Sequence, residues 1–194
     1  VANSATRPRT KQNNFKRPQK LDSSQREKLI ELAQKALGKN HIRIKAHNFR
    51  ADCSGTIRAL FALARVPLGG IIKNHDDNDV KAIYRYVQKY GQLSKTNAEP
   101  GDLVFFHNTY NRSNSGYMND ALTHIGIIEK IDNNIIYFIH HLGKSIIRSR
   151  MCITKPDLLF DPLTNERLNH VLRRAQGRAR AYAAGELFAG FGRL

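Results

Sequence analysis

The chain has 194 residues, 41% hydrophobic and 25% charged, enough for one domain with a sizeable core and too apolar for a chain without fold. No run of about eighteen apolar residues occurs, which excludes a membrane-spanning helix, and no export signal is recognisable at Val1. A net charge of +16 draws the surface to polyanions such as nucleic acid, anionic lipid or an acidic wall polymer, without choosing among them.

Residues 1–21 are polar and basic, with Arg7, Arg9, Lys11, Lys16, Arg17 and Lys20 in a stretch that holds no acid. They read as a flexible arm. A first helix is expected from Ser24 as cap, with Glu27 in capping-box position. Its apolar stripe is Leu29, Ile30, Leu32, Ala33, Ala36 and Leu37, and Gly38 ends it. Residues 39–51 look irregular. Asp52-Cys53-Ser54-Gly55 then opens an apolar run, Thr56 to Val66, that reads as a buried helix ended by Pro67 and Gly69-Gly70. A third helix runs from Asp77 or Asn78 as cap to Tyr90, with Val80, Ile83, Tyr84 and Val87 inward and Gly91 at its end.

The character changes at Pro100-Gly101. Leu103 to Phe106, Thr123 to Ile131, Ile135 to His140 and Ser145 to Met151 are rich in Ile, Val, Phe and Tyr, and Asp132-Asn133-Asn134 supplies a turn. They predict an antiparallel sheet following a helical half, hence an α+β domain over 22–155. Residues 108–121 form a long loop of the kind that is usually functional or mobile. Residues 156–194 read as a C-terminal extension. Leu158 to Pro162 is expected to be extended, Arg178 to Ala189 has helical propensity broken by Gly185, and Arg173, Arg174, Arg178 and Arg180 form a second basic cluster.

Two cysteines, Cys53 and Cys152, cannot make a disulfide framework, and both are expected to be reduced. Cys53 falls at the start of a predicted helix, where partial positive charge and unpaired N–H groups favour a thiolate and can hold an oxyanion. Gly55 is expected to keep the approach to the sulfur open. The plain alternative is an ordinary buried cysteine. A thiolate needs a base. His124, in Thr123-His124-Ile125-Gly126-Ile127-Ile128, enters an apolar strand and shares a face with Gly126, which adds no bulk there. Pairing of the two following strands as a hairpin brings His140 near His124, while His141 points to the opposite face. His140 is therefore the expected orienting group. His124 has a plain alternative as a hydrogen-bonded sheet residue.

Three segments in this order resemble the NlpC-type cell-wall cysteine peptidases, a branch of the papain-like superfamily: Asp52-Cys53-Ser54-Gly55 before a helix, Pro100-Gly101-Asp102-Leu103-Val104-Phe105-Phe106 on a strand, and His124-Ile125-Gly126-Ile127 followed by Phe138-Ile139-His140. The resemblance covers residues 25–150. It implies a papain-like α+β fold with the nucleophile helix packed on an antiparallel sheet, catalytic Cys53, His124 and His140, and hydrolysis of peptidoglycan stem peptides, commonly between D-γ-glutamate and a diamino acid. It further implies that Asp52 and Ser54 help bind the free amine end of that peptide, although Asp52 also fits a helix cap. No metal or cofactor is expected, and the implied location is secreted, periplasmic or in the cell wall. A secreted toxin attacking a rival's wall would have a neutralising partner protein. The histidine following the cysteine separates the chain from circularly permuted relatives.

The chain also departs from the family. Residues 39–51 contain no tyrosine for the oxyanion site and carry His41, His47 and Phe49 instead. Residues 108–121 are longer than the usual connection and would suit a lid or a docking surface, with Tyr110 and Tyr117 as substrate contacts or as ordinary exposed residues. Two other readings compete. One is a basic nucleic-acid or polyanion-binding protein, which rests on the Arg-rich ends; no RNA-binding or zinc signature supports specific nucleic-acid recognition. The other is an inactive wall-binding relative, against which the intact Cys53, His124 and His140 argue.

Overall fold

A computed structural model describes residues 20–45, 47–66, 68, 78–115, 117–177 and 179–194. Most of the expected arm (1–19), and the predicted stop and cap residues Pro67, Gly69, Gly70 and Asp77, lie outside the described residues, as does Arg178. Among the described residues, three helices come first: α1 (Ser23–Ala36), α2 (Cys53–Leu63) and α3 (Asp79–Tyr90). Eight strands follow: β1 (Gln92–Ser94), β2 (Leu103–Phe106), β3 (His124–Asp132), β4 (Ile135–Leu142), β5 (Ser145–Cys152), β6 (Val171–Arg173), β7 (Tyr182–Ala183) and β8 (Phe188–Arg193). The fold is α+β. Six strands form one sheet in the order β1-β8-β2-β3-β4-β5, every neighbouring pair antiparallel, and β6 and β7 make a small second sheet.

Local side-chain chemistry sets the helix starts. The α1 cap is Asp22 rather than Ser24: its carboxylate accepts from the Gln25 N–H at 2.8 Å, and the Gln25 side chain closes the box by accepting from the Asp22 N–H at 3.1 Å. A carboxylate at this position meets the partial positive charge of the first turn, which a serine hydroxyl two residues later does less well. Asn78 caps α3, accepting from the Lys81 N–H at 2.7 Å. Asp52 stands in extended conformation and caps α2 through the Gly55 N–H at 2.8 Å, so Cys53 is the first residue of the helix.

Both faces of the large sheet are covered. Leu103, Phe105, Ile125 and Ile127 meet Leu29, Ala33, Ile57, Leu60 and Ile83 of the helices. The alternate residues Val104, Phe106, Ile128 and Phe138 point the other way, onto Met151, Leu172, Leu187 and Phe191. That is why β2 reads as an unbroken apolar run: a strand buried on both faces shows no polar alternation. At the β3–β4 turn Asn133 and Asn134 both adopt positive φ, as an Asn-rich two-residue hairpin loop permits.

The tail corrects the sequence reading. Among the described residues 179–189 there is no helix: Tyr182–Ala183 and Phe188–Arg193 are strands, and β8 inserts between β1 and β2. Tertiary packing overrides the helical propensity of Ala, Arg and Leu. Gly192 is needed there, because a Cβ would lie 2.8 Å from the Phe105 ring and 3.0 Å from Val87. Leu158 to Pro162 contributes only an isolated bridge, Phe160 with Arg167, beside a turn closed by the Asp161 N–H to Glu166 carbonyl bond. The sequence boundary at 155 falls shortly after β5 ends at Cys152 but does not end the sheet, since β8 comes from the extension.

One buried carboxylate ties this late strand to the start of the fold. Asp102, 1% exposed, receives Arg26 of α1 at 2.7 Å and Arg193 of β8 at 2.8 Å, and also accepts from the Glu99 N–H at 2.9 Å. Arg26 and the Leu21 N–H both donate to the Leu194 carbonyl. The far edge of the sheet is closed as well. The β5 groups Arg150 N–H and Cys152 N–H donate to His170 and Asn169, and Ile146 exchanges bonds with Gly38 and Lys39. An edge strand so covered offers few free groups for pairing with another chain. Among the described residues no helix is long and apolar enough to cross a membrane.

Candidate active site

The start of α2 and the start of β3 meet at one cavity of about 630 Å³, which Cys53, His124, Asp52 and Tyr110 all line. Cys53 and Cys152 are both free thiols, and Cys152 is buried away from the cavity with its sulfur 3.2 Å from the Thr154 hydroxyl. His124 is the first residue of β3, directly across from Phe106 of β2. The β3–β4 register, with Ile127 opposite Ile139, carries His140 back alongside Gly126. A Cβ at Gly126 would lie 3.2 Å from the His140 Cβ and 3.0 Å from the Phe138 ring. The missing side chain is therefore the space that His140 fills.

The two imidazoles meet edge to face, ring centroids 4.9 Å apart, with His124 Nε2 and His140 Nδ1 at 2.6 Å. His140 Nε2 in turn lies 2.9 Å from Ser149 Oγ of β5. With Nε2 engaged by His140, Nδ1 is the nitrogen of His124 left for the cavity. His141 turns to the opposite face from His140, as strand alternation requires. That face is the one against which the helices pack, and His141 lines the cavity too, its Nε2 donating to the Asn40 carbonyl at 2.9 Å.

Burial sets the protonation of the pair. The Cys53 thiol is pushed up to about 11, first by burial and then by the neighbouring Asp52 carboxylate, with backbone hydrogen bonding from Ile125, Ser54 and Cys53 pulling the other way. His124 is held down to about 4 by burial and then by His141, against the opposing pull of Asp52. His140 is lowered well below its ordinary value by burial and by His124. Burial of the sulfur thus opposes the thiolate that the helix start favours.

Asp52 and Ser54 both line the cavity, but much of their bonding capacity is spent on the helix start. Asp52 Oδ1 accepts from the Gly55 N–H and from the Ser54 hydroxyl, each at 2.8 Å. Its Oδ2 pairs with Arg50 Nε at 2.8 Å, and Asp79 lies 3.9 Å from the same guanidinium. Gly55 has a different duty from the one expected: a Cβ there would meet the Arg50 carbonyl oxygen at 2.1 Å. Its absence lets the chain before the cysteine cross close over α2, rather than opening a path to the sulfur.

Sequence reasoning missed Arg50, Arg112 and His141 as cavity residues and left Tyr110 undecided. Tyr110 walls the cavity, and its hydroxyl is pushed up by burial first and by Cys53 next. Tyr117, 73% exposed, is not part of the wall. The loop that carries Tyr110 is tied down by polar side chains. Asp120 accepts from the N–H groups of Arg112 and Ser113 at 2.9 Å, Asn108 accepts from the Asp120 N–H at 2.7 Å, and the Thr109 N–H donates to Thr123 Oγ1 at 2.9 Å, one residue before His124. The Asn, Asp and Ser content of 108–121 was the available signal, because these side chains close turns onto backbone N–H groups.

No protein-family model matches the chain, and no curated protein sequence matches it. Among solved structures it is similar to a Staphylococcus aureus subsp. aureus Mu50 protein described as similar to lipoprotein, NLP/P60 family, with 25% identity and a TM-score of 0.42 over 69% of this chain and 38% of that one. It is also similar to NlpC2 from Trichomonas vaginalis, with 23% identity and a TM-score of 0.39 over 69% of this chain and 44% of that one. In both cases the chain spans less than half the length of the protein it is similar to.

Proposed function

We propose that this protein is a cysteine peptidase that hydrolyses peptide bonds of peptidoglycan stem peptides, with Cys53 as nucleophile, His124 as base and His140 as the group that orients it. The observation that carries the reading is the convergence of a free thiol at the first turn of α2 and a histidine at the first residue of β3 on one cavity, with the second histidine 2.6 Å behind the first. A structural cysteine or a structural sheet histidine has no need of the other at an open cavity.

The thiol proton passes to His124 Nδ1 as the sulfur attacks the carbonyl carbon, a timing favoured by burial, which raises the thiol and lowers the imidazole. The backbone N–H groups at the start of α2 face the developing oxyanion. The C–N bond then breaks, His124 returns its proton to the leaving amine, and the acyl group stays on sulfur as a thioester. Water attacks that thioester with His124 again taking the proton, which releases the carboxylate product and restores the thiol. His140, neutral throughout, keeps the His124 ring aimed without adding charge.

Within this reading, the bond cut is the one between D-γ-glutamate and the diamino acid. Asp52 Oδ2 takes the free ammonium of the stem peptide after displacing Arg50, and Ser54 supports it by holding Oδ1. The enzyme acts where that polymer lies, as a secreted, periplasmic or wall-located protein. As an antibacterial effector it is kept in check by a neutralising partner protein. The test is digestion of purified peptidoglycan followed by mass spectrometry of the muropeptides. Wild-type protein is expected to release fragments ending at D-γ-glutamate, and Cys53→Ala none. Intact wall after prolonged incubation with folded wild-type protein would remove the reading.

A further inference from the structure

We propose that Ser149 is a positioning residue, the hydroxyl acceptor that holds the His140–His124 pair in the one tautomer in which His124 presents a bare nitrogen to the cavity. The proposal rests on the peptidase reading only for the use made of that nitrogen. Its geometry is a continuous chain: Ser149 Oγ to His140 Nε2 at 2.9 Å, His140 Nδ1 to His124 Nε2 at 2.6 Å. All three side chains are buried, Ser149 at 2% exposure, His140 at 0% and His124 at 6%. Their polar atoms must therefore be satisfied largely by one another.

A neutral imidazole has one N–H and one bare nitrogen, so the chain of bonds has two self-consistent directions. In the first, His124 Nε2–H donates to His140 Nδ1, and His140 Nε2–H donates to Ser149 Oγ. His124 Nδ1 is then bare and can take a proton. In the second, the Ser149 hydroxyl donates to His140 Nε2, and His140 Nδ1–H donates to His124 Nε2. His124 Nδ1 then carries hydrogen and cannot accept. Burial keeps His140 from holding protons on both nitrogens, so the choice is between these two.

Turnover decides which one is required. Once His124 has taken a proton, both of its nitrogens carry hydrogen, and its Nε2–H needs His140 Nδ1 as acceptor. His140 must then carry its own hydrogen on Nε2, and Ser149 Oγ must accept it. Each bond polarises the next, so the serine acceptor supports the imidazolium from two bonds away. With no oxygen at that position, the buried His140 Nε2–H has no partner and the balance shifts toward the wrong tautomer. The β4–β5 register explains why this residue reaches the ring: Ile147 lies opposite His140 and Ser149 opposite Phe138, on the same face as His140 and one step along it.

The experiment uses the full chain labelled with 15N-histidine and long-range 15N–1H correlation spectra near neutral pH, with alkylation of Cys53 by iodoacetamide, located by mass spectrometry, measured in parallel. Wild-type protein is expected to show His124 and His140 both as the Nε2–H tautomer. In Ser149→Ala, His140 is expected to gain Nδ1–H population, and alkylation of Cys53 and kcat for wall hydrolysis to fall about 10- to 100-fold with KM little changed, as when a residue that orients a reactive histidine is lost. Ser149→Thr, which keeps the hydroxyl, is expected to restore both. A wild-type His140 carrying Nδ1–H overturns the proposal without any variant, and so does a Ser149→Ala protein whose tautomers and alkylation rate match wild type. Expected tautomers in a protein that cleaves no wall support the role of Ser149 and refute the peptidase reading, so the two fail separately.

Discussion

Gly126→Ala is the most direct probe of the histidine pair, because it touches neither ring's chemistry. The added methyl would sit 3.0 Å from Phe138 Cδ2, 3.1 Å from the Ile139 carbonyl oxygen and 3.2 Å from the His140 Cβ. Ordinary contacts of this kind begin near 3.5 Å, so each neighbour must yield by roughly 0.3–0.5 Å. The carbonyl belongs to the β3–β4 ladder and resists, and Phe138 is fully buried among core side chains. His140 therefore takes much of the shift, away from its 2.6 Å bond with His124. Overpacking of this size costs about 1–3 kcal/mol of stability, and displacement of a reactive group by a fraction of an ångström costs up to about 100-fold in rate. The assay is wall hydrolysis and Cys53 alkylation beside a thermal melt. The expected result is a protein that still folds, with Tm lowered by several degrees and hydrolysis reduced at least about 10-fold. Unimpaired hydrolysis with a lowered Tm would show that the ring contact does not aim His124.

Asp102→Ala leaves Arg26 and Arg193 facing each other without their shared carboxylate. Removing one partner of a buried pair costs about 3–5 kcal/mol, so a drop in Tm of about 6–20 °C is expected, and a change under about 2 °C would show that the clamp does not hold β8. Stability is also expected to fall on acidification. His124 and His140 sit below their ordinary range when folded and regain it on unfolding, so between about pH 6.5 and 4 the unfolded chain binds more protons than the folded one. Each such group then removes up to about 1.4 kcal/mol per pH unit. Urea midpoints measured across that window test this, and a midpoint that stays flat or rises as pH falls contradicts it. Finally, alkylation of Cys53 is expected to keep rising above pH 8.5, because burial places its thiol at about 11. A plateau already reached below pH 7 would mean a resting thiolate–imidazolium pair instead.

Much of this molecule was written locally. Asp52 announces a helix start by being able to accept from a backbone N–H, and the asparagines after Asp132 announce a hairpin by tolerating positive φ. That hairpin brings His140 toward His124, but the register shift between Ile128 and Lys130 is what sets it alongside Gly126 on the face of His124; an unbroken ladder from Asp132 and Ile135 would place it opposite Ile127. The cap and the turn depend on interactions within a few residues, which composition and spacing report directly; the bulge in β3 does not. The tertiary structure decided the rest. Arg178 to Ala189 has helical propensity by sequence, yet residues 188–193 complete the sheet, because Gly192 leaves room for Phe105 and Arg193 answers the buried Asp102 from 91 residues away. The resting state of Cys53 likewise depends on how much low-dielectric protein surrounds the sulfur. That environment is assembled from segments distant in the chain, and no local pattern encodes it.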